Sequence, residues 1–245
     1  MPDARFRLRQ VGLLLVWLGF IAYAVFQSPP AQPNTVELIQ ALVLGQWASI
    51  NPFIVALFNI MGLWPVIYAS VALLDGRSQS FPVWPFVVTS LGLGAFALLP
   101  YLAFRRPYSM TTEAETNAGS SPSRFGGSQW VNRMESRWVG IMVTEIGAGF
   151  LLFANLKGDW GDFIHQWQTS QFIHIMSLDF CALSLLFPCL LGDDMARRGL
   201  TQQWIWVAVA IAPFIGPALY LCLRPPLLDA LPTGDHSPGV LPTNS

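Results

Sequence analysis

The stretch FIHIMSLDFCALSLLFPCLLGDD, residues 172–194, decides the fold because it is long and apolar enough to cross a membrane. A helix that crosses a hydrocarbon core of about 30 Å needs about 20 apolar residues. Two strongly polar, ionisable side chains interrupt the apolar part of the stretch, His174 near its start and Asp179 inside it. A charged Asp near the bilayer centre costs about 2.5–3.5 kcal/mol and normally faces the protein interior. The stretch therefore predicts a membrane helix that carries a candidate site.

Composition extends this conclusion to the whole chain. The 245 residues are 53% hydrophobic and 11% charged, and the mean hydropathy is +0.47. Soluble domains carry about 25% charged residues, so the deficit indicates an integral membrane protein. The net charge of −1 leaves no basic excess that would attract nucleic acid. The three cysteines lie in apolar runs without metal-ligand spacing and are expected to be packing residues.

Apolar segments long enough to span occur six times, and we expect each to be a helix because backbone groups in lipid must pair within their own segment. They are 11–27, 52–74, 83–104, 138–156, 172–192 and 203–223. The first resembles a signal peptide, with AYA at 22–24 as a cleavage-like site, but we expect it to be retained. The fold class predicted is therefore an all-α polytopic bundle.

Shorter and polar segments separate these spans. Residues 36–50 are expected to form an interfacial or re-entrant helix, with a seventh crossing as the alternative, and GDWGDFIHQWQTSQ between spans four and five looks like its counterpart. The segment 105–137 is rich in Ser, Gly, Thr and Asn and predicts a flexible loop. It divides the chain into halves at 1–104 and 138–226, and a disordered tail is expected at 227–245.

The two halves resemble each other in sequence. Residues 52–107 align with 171–226 without a gap, so that YLAFRRP faces YLCLRPP and LLD faces GDD. Both halves also follow the same order of features, with an interfacial helix ending in QW before the second span. Two repeats of three spans would place the second half upside down relative to the first, as in many transporters.

Three polar residues are expected to share the central layer of the bundle. At 1.5 Å per residue, Glu145 and Asn59 each lie about 10 Å from one face, and Asp179 lies about 10–12 Å from the opposite face. Two interpretations stay open for them. The acids tie helices together through hydrogen bonds, or they form a ligand or proton site. If Asp179 faces the interior, Glu145, Asn59 or the backbone near Gly147 is its expected partner.

The other candidate residues carry weaker signals. His174 lies about 140° around the helix from Asp179 and is expected near the interface. Ser90 and Gly94 form a small-xxx-small pair of the kind that packs helices closely. Asp193 and Asp194 are weak candidates for magnesium. The alternative is that they pair with Arg197 and Arg198 at i, i+4 on a solvated helix end. No Ser-His-Asp array, HExxH or nucleotide-binding motif is present in the sequence, so no catalytic residue is assigned.

Two long motifs carry a family resemblance. The segment FIHIMSLDFCALSLLFPCLLGDDMARRG followed by IGPALYLCLRPP, and the segment NPFIVALFNIMGLWPVIYASVALLDGRSQ with LGAFALLPYLAFRRP, resemble a family of uncharacterised cyanobacterial and plastid membrane proteins. A more distant likeness is to the plastid membrane protein linked to neoxanthin formation, from which no catalytic residue is transferred. The resemblance implies a multi-pass protein of the thylakoid or plasma membrane of a cyanobacterium.

The function expected from these observations is a non-enzymatic factor of photosynthetic membranes. Such a protein would help to assemble photosynthetic complexes, or would hold a lipid, a carotenoid or chlorophyll. Two alternatives stay open at this stage. One is a small-molecule or ion transporter with a central acidic site, and the other is an enzyme that acts on a carotenoid or lipid within the bilayer.

Overall fold

The computed structural model describes residues 2–75, 79, 81–107 and 133–227, and these residues form a helical bundle without strands. The helices of the first half are α1 (Pro2–Phe26), α2 (Thr35–Val43), α3 (Pro52–Asp75) and α4 (Trp84–Phe104). Those of the second half are α5 (Arg137–Lys157), α6 (Trp160–Thr169), α7 (Gln171–Leu186), α8 (Pro188–Arg197), α9 (Trp204–Ile211) and α10 (Ile215–Leu223). The predicted helical membrane bundle is confirmed.

Among the described residues, five helical segments are long and apolar enough to cross a membrane, namely Phe6–Phe26, Pro52–Leu74, Trp84–Phe104, Arg137–Lys157 and Gln171–Arg197. The last combines α7 and α8, between which Pro188 removes one backbone donor. The sixth predicted span, 203–223, is divided into the short helices α9 and α10. Length and composition alone do not show whether a segment crosses the membrane or turns back within it. The contacts between residues show this.

The helix α4 is folded back on itself at Gly94. This residue has φ 48° and ψ −125°, a conformation that only glycine adopts without strain. The rings of Phe86 and Tyr101 are 5.7 Å apart, whereas a straight helix would separate these positions by about 22 Å. Gln79 and Arg106, on either side of the helix, exchange two hydrogen bonds of 2.7 and 2.8 Å. Residues 84–104 therefore form a re-entrant helical hairpin, called hairpin 1 below, and not a third crossing.

The helices α9 and α10 form a second re-entrant hairpin, called hairpin 2. Its turn contains Phe214 at φ 66°, and a Cβ on Gly216 would lie 2.7 Å from the Cα of Val209 in the other arm. The guanidinium of Arg198 donates to the carbonyl of Pro225, so the chain enters and leaves the hairpin at one place. The predicted sixth span is thus also an apolar loop that returns to the face from which it came.

These contacts define two faces of the bundle. The amino-terminal face is the end at which α1 begins, where Arg9 donates to the carbonyl of Arg105 at 2.8 Å. At the opposite face, Gln32 reaches the carbonyl of Thr169 and Asn51 reaches that of Asp159. The short helices α2 and α6 lie on this opposite face, so residues 36–50 do not form a seventh crossing. Both hairpins enter from the amino-terminal face.

The two halves therefore run in the same direction. Both α1 and α5 end at the opposite face, and α3 and α7 run parallel, with Tyr68 donating to the carbonyl of Leu183 at 2.6 Å. The inverted arrangement expected from three crossings per half is not the one observed. The physical reason is that each half crosses twice and then turns back, so the second half starts from the same face as the first.

The two halves are related by an approximate two-fold symmetry, because aligned residues of the two halves make equivalent contacts with each other. The sequence alignment pairs Arg105 with Arg224 and Ser70 with Cys189. Arg105 donates to the carbonyl of Cys189, and Arg224 donates to that of Ser70 at 3.1 Å. Tyr68 and Phe187, which are also aligned, contact each other with ring centroids 5.9 Å apart. The internal repeat at 52–107 and 171–226 thus has a counterpart in the fold.

Two predicted segments fall largely outside the described residues. These are 108–132 of the predicted loop and 228–245 of the predicted tail. The boundary of the loop at 105 differs from the structure, because Arg105 is only 1% exposed and belongs to the bundle. Its side chain forms an ion pair of 2.7 Å with Asp193, which anchors the end of hairpin 1 to α8.

Candidate functional site

The candidate site is a cavity of about 490 Å³ at the tip of hairpin 1. Its walls come from the ends of α1 and α2 and from α3, α4 and α7. Apolar residues form most of the lining, and the polar groups lie at two levels. Thr35 and Gln171 lie towards the opposite face, and Ser90 and Asp179 lie at mid-depth beside the tip. Pockets with an apolar lining and few polar groups are typical of small-molecule sites.

Asp179 lies buried at the base of this cavity and is 6% exposed. One carboxylate oxygen, Oδ1, accepts a hydrogen bond of 2.8 Å from the backbone N–H of Ala95. This amide begins the returning arm of hairpin 1, where no intrahelical acceptor is available to it. The positive end of that arm's dipole also stabilises a carboxylate. Asp179 therefore caps the second arm of the re-entrant hairpin.

Gly94 is required at the tip for a second reason besides its backbone conformation. A Cβ at this position would lie 1.6 Å from Oδ2 of Asp179, so any side chain would displace the carboxylate. No hydrogen bond from a described residue reaches Oδ2. Asp179 lines the cavity, and Oδ2 is the carboxylate oxygen that the hydrogen bond from Ala95 leaves unused.

The tip of hairpin 2 differs from that of hairpin 1, because an aromatic side chain fills it. The repeat pairs Ala95 with Phe214, whose ring is 1% exposed and lies 5.9 Å from that of Trp64. A Cβ on Gly147 of α5 would lie 2.0 Å from this ring, so helix and ring are in close contact. The aromatic side chain of Phe214 therefore occupies the tip of hairpin 2, whereas the aligned position in hairpin 1 carries only the methyl group of Ala95.

The prediction that Asp179 faces the interior agrees with the structure, but its expected partners were wrong. Its partner is the amide of Ala95, and neither Glu145, Asn59 nor the backbone near Gly147 contacts it through a hydrogen bond. Asn59 donates to the carbonyl of Val55 in its own helix at 2.8 Å. Glu145 is exposed on the outer surface of α5. The predicted central layer of three polar residues is therefore not a single site.

His174 bridges three helices at the opposite face and is 6% exposed. Its Nε2 is 2.9 Å from the hydroxyl of Tyr23, and its Nδ1 is 2.9 Å from the carbonyl of Trp167. Its ring stacks on Trp167 with centroids 4.5 Å apart. Both ring nitrogens are thus used in joining α1 and α6 to α7, and His174 is not part of the cavity lining.

Asp193 and Asp194 are neutralised by arginines, which disfavours the magnesium interpretation. The predicted pair of Asp193 with Arg197 is replaced by the ion pair with Arg105. The predicted pair of Asp194 with Arg198 is present at 2.9 Å, but Asp194 is fully buried and not on a solvated helix end. Within the described ranges, no group of three His, Cys, Asp or Glu side chains could hold a metal ion.

The cluster around Asp194 fastens hairpin 2 to α8. Tyr220 donates to Asp194 at 2.7 Å, and Arg224 lies 3.5 Å from the same oxygen. Burial lowers the pKa of Arg224, and the charge of Asp194 acts against this. Burial also acts to lower the pKa of Arg198, but the hydrogen bond and charge of Asp194 outweigh it and raise that pKa. These groups have a structural role, because they leave no carboxylate oxygen of Asp194 without a donor.

Sequence reasoning missed the tip of hairpin 1 as part of a site. Ser90 and Gly94 had been interpreted as a helix-packing pair, and the returning backbone at Ala95 carried no signal of its own. The available signal was the matched interruption of two apolar segments, by GLG at 92–94 and by AP at 212–213. Interrupted hydrophobic segments at corresponding positions of two repeats are a strong sequence indication of a membrane binding site.

The fold and the site define a multi-pass helical membrane protein with two re-entrant hairpins, one of which ends at a cavity containing a buried carboxylate. No protein-family model, curated protein or solved structure matches the chain.

Proposed function

We propose that this protein is a non-enzymatic membrane protein that binds a small amphipathic molecule, a lipid or a pigment, in the cavity at hairpin 1. The observation that carries the proposal is the difference between the two hairpin tips. Phe214 fills the tip of hairpin 2, whereas hairpin 1 has Ala95 at the aligned position and a cavity of about 490 Å³ beside its tip. The lining of this cavity lacks protein contacts on one side, so a bound molecule would gain dispersion energy by filling it.

The lining of the cavity indicates the chemistry of the occupant. Phe58, Met61 and Met176 provide an apolar wall that suits a hydrocarbon body. Leu91 and Leu93, which also line the cavity, are 63% and 55% exposed, so the cavity opens on the outer surface of the bundle. An apolar molecule can therefore enter from the lipid, and the polar groups at the two ends would fix its orientation.

The biological setting of this proposal rests on the family resemblance of the two repeat segments. On this resemblance the protein would lie in the thylakoid or plasma membrane of a cyanobacterium, where the bound molecule would be a membrane lipid, a carotenoid or chlorophyll. There the protein would support the assembly of photosynthetic complexes. A deletion strain tests the setting. Loss of one photosystem with normal pigments supports it, and altered pigment composition with intact photosystems favours an enzyme instead.

The binding proposal is tested by filling the cavity without disturbing the helices. Gly62 lines the cavity, and an added Cβ there meets nothing within 4 Å. Gly62→Leu should remove most of the lipid or pigment that copurifies with the protein in mild detergent, as measured by mass spectrometry and absorbance of an organic extract. Gly19→Leu is the matched control, because Gly19 also has open space but lies outside the cavity. Equal bound material in wild type and Gly62→Leu contradicts the proposal.

A transporter is the second candidate, and the re-entrant hairpins favour it. Broken helices that end at mid-depth beside an acidic side chain occur at the substrate and ion sites of many transporters. In this case Asp179 would handle a proton or cation. Proteoliposomes loaded with a pH-sensitive dye distinguish the candidates. A proton flux present in wild type and absent in Asp179→Asn supports transport, whereas no flux from protein that retains its bound molecule supports binding alone.

A further inference from the structure

The outward face of α5 is a second unusual surface, separate from the cavity. It is formed by exposed side chains on one side of the helix: Ile141, Met142, Glu145, Ile146, Leu152, Phe153 and Leu156. All but one of these are apolar, as expected for a helix that faces lipid. Glu145 is the exception, and it lies in the middle of the face. We call this surface the Glu145 face.

The depth of Glu145 makes its exposure costly. It is eight residues from the start of α5, or about 12 Å along the helix axis. It therefore lies near the level of Gly147, which contacts the tip of hairpin 2. No hydrogen bond or ion pair to Glu145 is formed by the described part of the chain. A carboxylate at this depth costs about 2.5–3.5 kcal/mol when it lacks a partner, so such residues normally face protein.

The surroundings of Glu145 suit close contact with another helix. A shallow groove of about 350 Å³ runs beside it, lined by Trp47, Gly149 and three further apolar side chains of α5. Gly149 lies one turn after Glu145, and a Cβ there would meet nothing within 4 Å. A small residue one turn away from a polar residue allows two helix backbones to approach closely. The polar side chain can then form a hydrogen bond with the neighbouring helix.

The chain's own remaining segments do not fit this groove. Residues 108–132 and 228–245 are polar, and each joins the described chain at the amino-terminal face. Burying such segments at mid-bilayer would leave their backbone groups without partners. A second copy of the protein fits poorly too, because the Glu145 face carries no side-chain donor at the depth of Glu145. A symmetric contact would place two carboxylates opposite each other.

We propose that the Glu145 face binds a transmembrane helix of a different polypeptide, which carries a basic side chain at mid-bilayer. The carboxylate of Glu145 would accept its hydrogen bonds, and Gly149 would allow the two helices to pack closely. Charge complementarity identifies this partner, since a donor satisfies an acidic group that has none among the described residues of its own chain. The interaction is independent of the molecule in the cavity.

The test uses synthetic transmembrane peptides and the full chain in lipid vesicles. One peptide is a Leu/Ala helix with a single central Lys, and the matched peptide has Leu at that position. Energy transfer from labelled protein to labelled peptide measures binding. We expect the Lys peptide to bind at least tenfold more tightly than the Leu peptide, and this preference to fall at least fivefold in Glu145→Gln. Glu37→Gln, on the exposed helix α2, should keep the preference.

Three results would overturn the proposal. The first is equal binding of the two peptides by the wild-type chain. The second is an unchanged preference in Glu145→Gln, with thermal unfolding showing that the variant is folded. The third is energy transfer between two copies of the wild-type chain that Glu145→Gln abolishes, since this identifies a second copy as the occupant. Loss of the preference in Glu145→Gln without any change in its unfolding temperature supports the proposed partner.

Discussion

Replacement of Gly94 by Ala should destabilise hairpin 1 through two separable effects. The first is backbone strain, because Gly94 has φ 48° and ψ −125°. A residue with a side chain in such a conformation costs about 1–3 kcal/mol. The second is a collision, because the new methyl group would lie 1.6 Å from Oδ2 of Asp179. The carboxylate must move and would give up its 2.8 Å hydrogen bond from the amide of Ala95.

The expected total cost of Gly94→Ala follows from these two terms. A hydrogen bond to a charged group contributes about 1.5–3 kcal/mol, so the free energy of unfolding should fall by about 2.5–6 kcal/mol. The second effect depends on Asp179 and disappears when Asp179 is already Ala. In the Asp179→Ala background, Gly94→Ala should therefore cost only about 1–3 kcal/mol. The coupling energy of the double-mutant cycle is then about 1.5–3 kcal/mol.

The assay is unfolding of the purified protein in mixed micelles of increasing SDS fraction, followed by far-ultraviolet circular dichroism. Gly92→Ala is the matched control, because Gly92 lies in the same hairpin and cavity but has open space around its Cβ position. Ala is favoured over Gly within a helix by about 0.5–1 kcal/mol, so this variant should be neutral or slightly more stable. A coupling energy below about 0.5 kcal/mol would refute the argument that Asp179 is held against the tip at Gly94.

Three further outcomes follow from the geometry. Asp179→Asn should keep the hairpin cap, since its carbonyl oxygen accepts the same N–H, whereas Asp179→Leu should cost about 1–3 kcal/mol on SDS unfolding. Single cysteines at the hairpin ends, Trp84→Cys and Phe104→Cys in a chain without native cysteines, should react with a membrane-impermeant maleimide from the same side. Reaction from opposite sides would show that residues 84–104 cross the membrane. Arg198→Met should lower the free energy of unfolding by about 3–5 kcal/mol because it breaks a buried ion pair with Asp194, and a loss below about 1 kcal/mol would assign the pair to a solvated surface.

The sequence by itself determined that the chain is helical and membrane-embedded. The reason is thermodynamic, because long apolar segments in lipid have no other way to pair their backbone groups. It also determined the internal repeat, since aligned positions such as Arg105 and Arg224 meet aligned partners in the folded chain. The interior position of Asp179 followed from the cost of exposing a carboxylate to lipid, and Asp179 is 6% exposed.

Only the tertiary structure decided the path of the third and sixth apolar segments. Hydropathy is a property of side chains, so an apolar segment of about 20 residues has the same hydropathy whether its helix is straight or folded into a hairpin. One glycine conformation at residue 94 and one strained residue, Phe214, turn these segments back. The direction of the second half follows from that turn, and for this reason the expected inverted repeat is a parallel one.

The partners of the polar residues also depended on tertiary structure. Depth along a helix can be counted from the sequence, but the direction of a side chain around the bundle depends on which helices pack together. Asp179 and Glu145 were expected at a similar depth, and the packing of α5 against α3 turns Glu145 outwards while α7 turns Asp179 towards the tip of hairpin 1. The amide of Ala95 could not be foreseen as a partner, because a backbone donor becomes available only where the chain breaks a helix.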